Sequence, residues 1–436
     1  MHFDRLEDWL RWQETLHPAA IDLGLERVGR VWRRLNSKAL PFSIITVAGT
    51  NGKGSTVAML EAIYGAAGYR TATYTSPHLF RYNERIHLAG GEVSDGDLCA
   101  AFADIEAVRG QESLTYFEFG TLAAMHLFLS AAPDLVILEV GLGGRLDAVN
   151  LFDADLAIIT SIGRDHMAWL GDSLEQITLE KAGILRPGRP LVVGHPQPRG
   201  VLLERASALG CPTYVLGRDF DWTMETPGPG WRWTGKGLVP LTLAPPALRG
   251  AVQLQNASTA IMASFLLSHR LPVSAAHIRQ GLQRAMIPGR FQVIPGAPIW
   301  ILDVAHNGPA AEALAANLSD FPCQGRRHAV LGLFADKEVG AVAGPLLDWV
   351  DCWHLGASSN PRALPAGQLR LAIEDLGVNA GRSLDLREYG TLDQAIRGAS
   401  KMAMAGDCIL AFGSFTTVEA VAATLHRQGL KVAIGG

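Results

Sequence analysis

A buried strand that runs straight into a glycine-rich turn and on into a helix constrains this chain more than any other feature. The segment is Ile44–Leu60, IITVAGTNGKGSTVAML. Glycines in Gly49-Thr50-Asn51-Gly52-Lys53-Gly54-Ser55 permit a tight turn and let backbone N–H groups approach an anion. The N-terminus of the following helix adds partial positive charge. Lys53 is placed for the β- and γ-phosphates of a nucleotide, and Ser55 or Thr56 for its Mg2+. The strict pattern G-x-x-x-x-G-K-[ST] is not met: Val47 stands where the first glycine belongs, and Gly54 separates Lys53 from Ser55. A glycine turn without a ligand is the bland alternative. The lysine and serine in a strand–turn–helix context favour a phosphate.

The surroundings of that turn predict an α/β chain. Ser43–Ala48, Arg70–Tyr74, Leu135–Val140 and Leu156–Thr160 read as strands with little polar alternation, as central parallel strands covered on both faces do. Helical patterns fall between them, at Gly54–Ala67, Asp95–Val108 and Phe117–Ala131, which implies right-handed crossovers and a doubly wound sheet. Arg218–Leu243, rich in Trp, Thr, Gly and Pro, predicts a small antiparallel sheet. Helices follow near Gln253–Ser268 and Ser274–Ala285. The turn Ile287-Pro288-Gly289-Arg290 then marks a domain boundary, giving residues 1–288 and 289–436. Beyond it α/β alternation restarts, with strands at Trp300–Asp303, His328–Leu333, Cys352–Leu355 and Cys408–Phe412.

Composition agrees. At 436 residues, two domains are the default. With 18% charged residues and a net charge of -4, the chain lacks the basic excess that nucleic-acid binding favours. The five cysteines are scattered singly, as in a reducing compartment without a disulfide or zinc framework. Met1–Leu16 carries Asp4, Arg5, Glu7, Asp8 and Arg11, so it reads as an amphipathic helix and not a signal peptide. No stretch has the length of a membrane span. A cytoplasmic monomer is expected.

Three polar residues follow strands at the edge that carries the glycine turn. Glu139 ends LVILEV, His166 follows the next strand after Asp165, and Ser76 follows Arg70–Tyr74. Ligand groups emerge at that edge of a parallel sheet. A carboxylate, a hydroxyl and an imidazole there suit Mg2+ beside nucleotide phosphates. Lys181, in SLEQITLEKAGIL, has no acid one turn away, and sequence pattern alone makes it a solvated helix lysine. Asp303-Val304-Ala305-His306-Asn307 reads as a capping turn with Asn307 as N-cap. Ile21–Val28 reads as a loop and a helix start.

Further motifs stand in order: IDLGLERV (Ile21–Val28), TSPHLFRYNERI (Thr75–Ile86), LTYFEFGT (Leu114–Thr121), LEVGLGGRLDAVN (Leu138–Asn150), TSIGRDH (Thr160–His166), EKAGILRPG (Glu180–Gly188), PGRFQ (Pro288–Gln292), LDVAHN (Leu302–Asn307) and GSFTTV (Gly413–Val418). Together with GTNGKGS they resemble, nearly end to end, the dihydrofolate synthase/folylpolyglutamate synthase family of the Mur ligase superfamily. The resemblance implies an ATP-binding domain followed by a smaller Rossmann-like domain, with ATP and substrate between them. It implies ligation of L-glutamate to dihydropteroate and to folates through an acyl phosphate, with ATP and Mg2+. The family's magnesium ligands fall on Ser76, Glu139 and His166, with Ser55 near the phosphates. ATP contacts fall on Thr50–Ser55, Asn256, Arg290, Asp303 and His306. A carbamylated lysine falls on Lys181, and Lys53 and His166 join it as catalytic candidates. The dihydropteroate cradle falls on Asp22, Leu23, Gly24 and Leu25, on Thr115, Tyr116, Phe117 and Glu118, and on Leu146, Asp147 and Ala148. Arg81 and Arg85 are candidates for glutamate carboxylates, or are simply solvated.

Within the family, a folylpolyglutamate synthase that only extends tails is the alternative, and two rival readings remain outside it. A Mur-type ligase acting on a UDP-linked cell-wall precursor shares the loop, but such enzymes carry a nucleotide-sugar domain ahead of it, and only 48 residues precede Gly49. A nucleotide-dependent switch predicts a guanine-reading N-K-x-D string, which does not occur.

Overall fold

The computed structural model describes residues 2–36 and 38–430, which fall in two compact units, one up to 247 with 252–286 and the other of 248–251 with the residues from 287 onward. In the first unit β1 (Ser43–Ala48), β2 (Thr71–Tyr74), β3 (Ile86–Leu88), β4 (Gly91–Glu92), β5 (Leu135–Glu139), β6 (Leu156–Ile159), β7 (Leu191–Val193) and β8 (Thr213–Val215) form one eight-stranded sheet, ordered β4-β3-β2-β5-β1-β6-β7-β8. Pairings from β2 across to β8 are parallel, and only the β2–β3 and β3–β4 pairings are antiparallel, so β3 alone runs against the rest. Every residue of β1, β5 and β6 is buried. That is why these strands read as unbroken apolar runs: helices cover both faces.

Expected strands and helices in this unit hold within one or two residues, and the exceptions are instructive. The first helix spans only Leu6–Leu16; Arg5 is extended and the carbonyl of Phe3 instead accepts the Trp9 indole N–H at 2.8 Å. Met1 lies outside the described residues. Strands β7 and β8 were not expected from sequence, because three residues each are too short to carry a periodic signal.

The Trp-rich segment forms its own antiparallel sheet, β9 (Phe220–Met224), β10 (Trp231–Gly235) and β11 (Leu241–Leu243), in the order β11-β10-β9. Trp231 and Trp233 point inward, and Trp233 stacks on Phe265 of the helix Ala251–Leu266, ring centroids 5.2 Å apart.

The second unit holds β12 (Gln292–Ile294), β13 (Ile299–Leu302), β14 (Arg327–Leu331), β15 (Cys352–Leu355), β16 (Asp385–Glu388) and β17 (Cys408–Phe412), ordered β12-β13-β17-β14-β15-β16. All pairings except β12–β13 are parallel. Among the described residues no helix is long and apolar enough to cross a membrane.

Candidate active site

The glycine turn leaves the C-terminal end of β1 and enters the helix Lys53–Ala66. Gly52 is the N-cap at φ 88°, and no side chain caps the helix, so the geometry suits an anion there. Gly49 is required for space: a Cβ on it would lie 1.9 Å from Oγ1 of Thr160. Thr160 and Ser161, just past β6, brace the turn. Thr160 Oγ1 donates to the Asn51 carbonyl at 2.7 Å, the Asn51 N–H donates to Ser161 Oγ at 3.0 Å, and the Thr50 N–H donates to the Ser161 carbonyl at 2.8 Å. Thr50 Oγ1 donates to the Gly163 carbonyl at 3.1 Å. A turn tied on one side by this many bonds is pre-formed for its ligand. Neither Thr160 nor Ser161 was singled out from sequence, since a hydroxyl after a strand carries no signal of its own. Gly54 and Ser55 are buried in the first helical turn. Asn256 comes from far along the chain to face the turn; a Cβ at Gly52 would meet its Oδ1 at 2.5 Å.

Register fixes the rest of this edge. Val47 of β1 pairs with Glu139 of β5, and Tyr74 of β2 pairs with Leu138, so the turn, Glu139 and Ser76 emerge side by side. Glu139 is 5% exposed, and its Oε2 accepts the Ser76 N–H at 3.3 Å. His166 follows β6 as an exposed residue at φ 52°, its N–H donating to Asp165 Oδ1 at 2.9 Å. The donor set of two hydroxyls, Ser55 and Ser76, one carboxylate and one imidazole fits a hard divalent cation that keeps several waters.

Lys181 corrects the sequence pattern: it is 4% exposed, and its Nζ donates to the Gly49 carbonyl at 3.1 Å. Burial, reinforced by the Lys53 ammonium, brings its pKa down to about 7. Lys53 folds back on its own turn, Nζ donating to the carbonyls of Gly49 at 3.0 Å and Thr50 at 3.3 Å.

On the same unit, Arg27 links two of the expected substrate segments. It is ion-paired with Asp22, and its Nε donates to Glu118 Oε2 at 2.9 Å. Asp22 is exposed and also lies 3.4 Å from His17 Nε2; Leu23, Gly24 and Leu25 are half-buried beside it. TYFE is a capping box: Thr115 Oγ1 accepts the Glu118 N–H, and Glu118 Oε2 accepts the Thr115 N–H at 2.8 Å. Arg27 was not singled out from sequence; its position five residues after Asp22 gives no hint of Glu118. Phe117 lies half-buried, 5.5 Å from the Tyr74 ring and close over Gly141. In LDA, Leu146 is half-buried and Ala148 buried, while Asp147 locks the loop by accepting the N–H groups of Leu142 at 2.8 Å and Val149 at 3.1 Å. Burial pushes the Asp147 carboxyl up to about 7.

The two candidate arginines differ. Arg81 is exposed and paired with Asp95 at 3.3 Å. Arg85 sits over the rings of Tyr82 and Tyr116, at 5.4 and 5.6 Å, and its Nε donates to His78 Nδ1 at 2.8 Å. Burial and the Arg85 charge bring His78 down to about 4, so it accepts as a neutral ring. Arg85 is therefore a positioned cation.

In the second unit Arg290, Asp303 and His306 gather about one another. The Arg290 guanidinium lies 5.9 Å over the Phe415 ring, and His306 lies 6.2 Å from it. Asp303 accepts the N–H groups of Phe291 and Ala305, each at 2.8 Å, while burial pushes its carboxyl up against the Arg290 charge. Asn307 is the N-cap of the helix Gly308–Ser319, as expected, accepting the Ala310 N–H at 3.1 Å.

Residues 47–205 match the Mur ligase middle domain model, and residues 289–415 match the Mur ligase, glutamate ligase domain model. The chain is 43% identical to a dihydrofolate synthase/folylpolyglutamate synthase of Escherichia coli over 95% of its length and 94% of that protein's. Its structure is similar to Escherichia coli FolC in complex with DHPP and ADP, with a TM-score of 0.90, 40% identity and coverage of 98% and 99%. It is also similar to a bifunctional folylpolyglutamate synthase/dihydrofolate synthase with Mn, AMPPNP and L-glutamate bound, with a TM-score of 0.86, 43% identity and coverage of 97% and 98%.

Proposed function

Because the chain belongs to the Mur ligase family, in its dihydrofolate synthase/folylpolyglutamate synthase branch, we propose that it ligates L-glutamate to dihydropteroate and to folates at the expense of ATP. The observation that carries this reading is the register of β1 and β5, which sets Glu139 beside the glycine turn. That pairing joins a phosphate cradle to a buried carboxylate suited to the nucleotide's cation.

The chemistry has two steps. A substrate carboxylate oxygen attacks the γ-phosphorus of ATP and ADP leaves. The glutamate amine then attacks the acyl carbon of the acyl phosphate, losing a proton as phosphate leaves. Ser55, Ser76, Glu139 and His166 would hold Mg2+, which supplies charge neutralisation on the phosphate oxygens. The uncapped helix at Lys53–Ala66 orients those oxygens, and the Lys53 ammonium turns from the Gly49 carbonyl to the transferring phosphoryl group. Asn256 supports the turn. Arg290, Asp303 and His306 act on ATP in the same proposal, supported by their grouping at Phe415. Asp22–Leu25, Thr115–Glu118 and Leu146–Ala148 form the dihydropteroate cradle, supported by the Arg27 link between the first two. We place the domain division between Pro288 and Gly289. We further take the enzyme to act as a cytoplasmic monomer, which light scattering of the purified chain and cell fractionation would test.

The test is phosphate release with ATP, Mg2+ and L-glutamate, comparing 7,8-dihydropteroate with tetrahydrofolate. Turnover with both is expected. Turnover with tetrahydrofolate alone would leave a tail-extending synthase, and none with either from folded, ATP-binding protein would overturn the folate reading.

A further inference from the structure

Central parallel strands should be apolar on both faces, and in the second unit β14 and β15 break that rule. His328, Cys352 and His354 are 1%, 0% and 0% exposed. His328 pairs in register with Cys352, and His354 lies two residues further along β15, so all three side chains share one face of the sheet. His328 Nδ1 lies 3.2 Å from His354 Nε2, and Cys352 Sγ lies 3.5 Å from the same Nε2. The three ligand atoms lie within 4.8 Å of one another, the one such group found among the described residues.

Those separations have a meaning. A tetrahedral ion with metal–nitrogen bonds of about 2.0–2.1 Å and a metal–sulfur bond of about 2.3 Å spaces its ligands about 3.3 Å apart for N–N and about 3.6 Å for N–S. The two edges seen here are close to both values.

The far sides of the rings fit as well. His354 Nδ1 lies 3.1 Å from the Tyr389 hydroxyl, and His328 Nε2 lies 3.5 Å from Asp407 Oδ2. A cation on the facing nitrogens leaves each ring a single N–H: that of His354 has the Tyr389 hydroxyl as acceptor, and that of His328 faces the Asp407 carboxylate without a hydrogen bond. Such orienting partners accompany ligating histidines. Tyr389 is held in place by the helix Leu392–Met402: a Cβ at Gly398 would lie 2.2 Å from its hydroxyl oxygen.

We propose that His328, Cys352 and His354 form a binding site for one soft divalent cation of the zinc class. Two imidazoles and a thiolate select such an ion over Mg2+. On binding, Cys352 gives up its thiol proton to solvent as the sulfur–metal bond forms. Asp303 and His306 follow β13, and in the sheet order β17 stands between β13 and β14, with β15 beyond β14. The site is therefore separate from the residues assigned to ATP, and its role is to clamp neighbouring strands.

The test uses the full chain, stripped with a chelator and then given Zn2+ or Co2+ in excess Mg2+. Retention of one Zn2+ per chain, a higher melting temperature with Zn2+ than with Mg2+ alone, and a thiolate-to-cobalt charge-transfer band with Co2+ are expected. Cys352→Ser should abolish the band and weaken Zn2+ at least about tenfold. A band that survives Cys352→Ser would place the cobalt on another cysteine and overturn the site, and folded wild-type protein that retains no Zn2+ would show a hydrogen-bonded cluster only. Should the variant fail to fold, the wild-type melting comparison decides alone, and no shift overturns the site.

Discussion

Lys53 and Lys181 send their side-chain nitrogens to the same acceptor, the carbonyl oxygen of Gly49, at 3.0 and 3.1 Å. Loss of water around the buried Lys181 ammonium, with repulsion from Lys53 added, brings Lys181 down to about 7. Near neutral pH it is thus substantially a free amine.

A free amine adds to CO2 with loss of a proton, giving a carbamate. We propose that Lys181 carries the carbamate that the family resemblance implies; it should then decline as pH drops through about 7, because the protonated form has no lone pair. We expect Lys181→Ala to lower kcat about 100-fold and acetate or formate to restore part of it. Wild-type turnover should also fall when CO2 is depleted. Full activity of the variant in buffer without carboxylate would end this reading.

Glu139→Gln keeps the side chain's shape and removes its charge. The expected outcome is a fall in kcat/KM of about 100- to 1,000-fold with a raised Mg2+ requirement, since the cation loses an anionic partner. Phosphate-release assays across a Mg2+ titration measure both. An unchanged Mg2+ midpoint would exclude Glu139 from the metal.

Gly49→Ala places a methyl 1.9 Å from Thr160 Oγ1 on a backbone at φ 154°. The turn must shift, with an expected destabilisation of ~1–3 kcal/mol and a raised KM for ATP. Thr160→Val is the gentler probe; it removes the bonds to the Ala48 and Asn51 carbonyls. Urea unfolding and ATP kinetics report the two effects, and an unaltered KM in both variants would show that the bracing is not needed for nucleotide.

Arg27→Met cuts the link from Asp22 to Glu118. KM for 7,8-dihydropteroate should rise at least about tenfold, roughly 1.4 kcal/mol, with KM for ATP unchanged. An equal rise for tetrahydrofolate would show that the segment serves both acceptors.

Asp147 supplies a pH dependence. Folded, it holds its proton up to about pH 7; unfolded, it loses it near about 4. The folded state binds the extra proton between those limits, so this group's contribution to stability falls as pH rises through that window. Asp147→Asn lacks the effect. Its stability relative to wild type should be higher at pH 8 than at pH 5, by ~1–4 kcal/mol in urea unfolding. A constant difference would mean that the carboxyl ionises normally.

The shared edge of the candidate site was legible in the sequence. The glycine turn, Glu139, Ser76 and His166 could be placed on one edge because β1, β2, β5 and β6 are long or apolar enough to identify, and parallel strands deliver their C-terminal residues to a common edge. Thr160, Ser161 and Arg27 could not, because their roles depend on which backbone group or carboxylate they meet across the fold. Lys181 is the sharpest case: helical spacing offered it no acid and left it solvated, while burial against Gly49 set its charge. The sequence by itself determined the element types, the phosphate turn and the family, since these rest on local periodicity and contiguous motifs. Only the tertiary structure decided which polar side chains are buried and against what, because ionisation and hydrogen bonding depend on neighbours distant in the chain and on the loss of water around them.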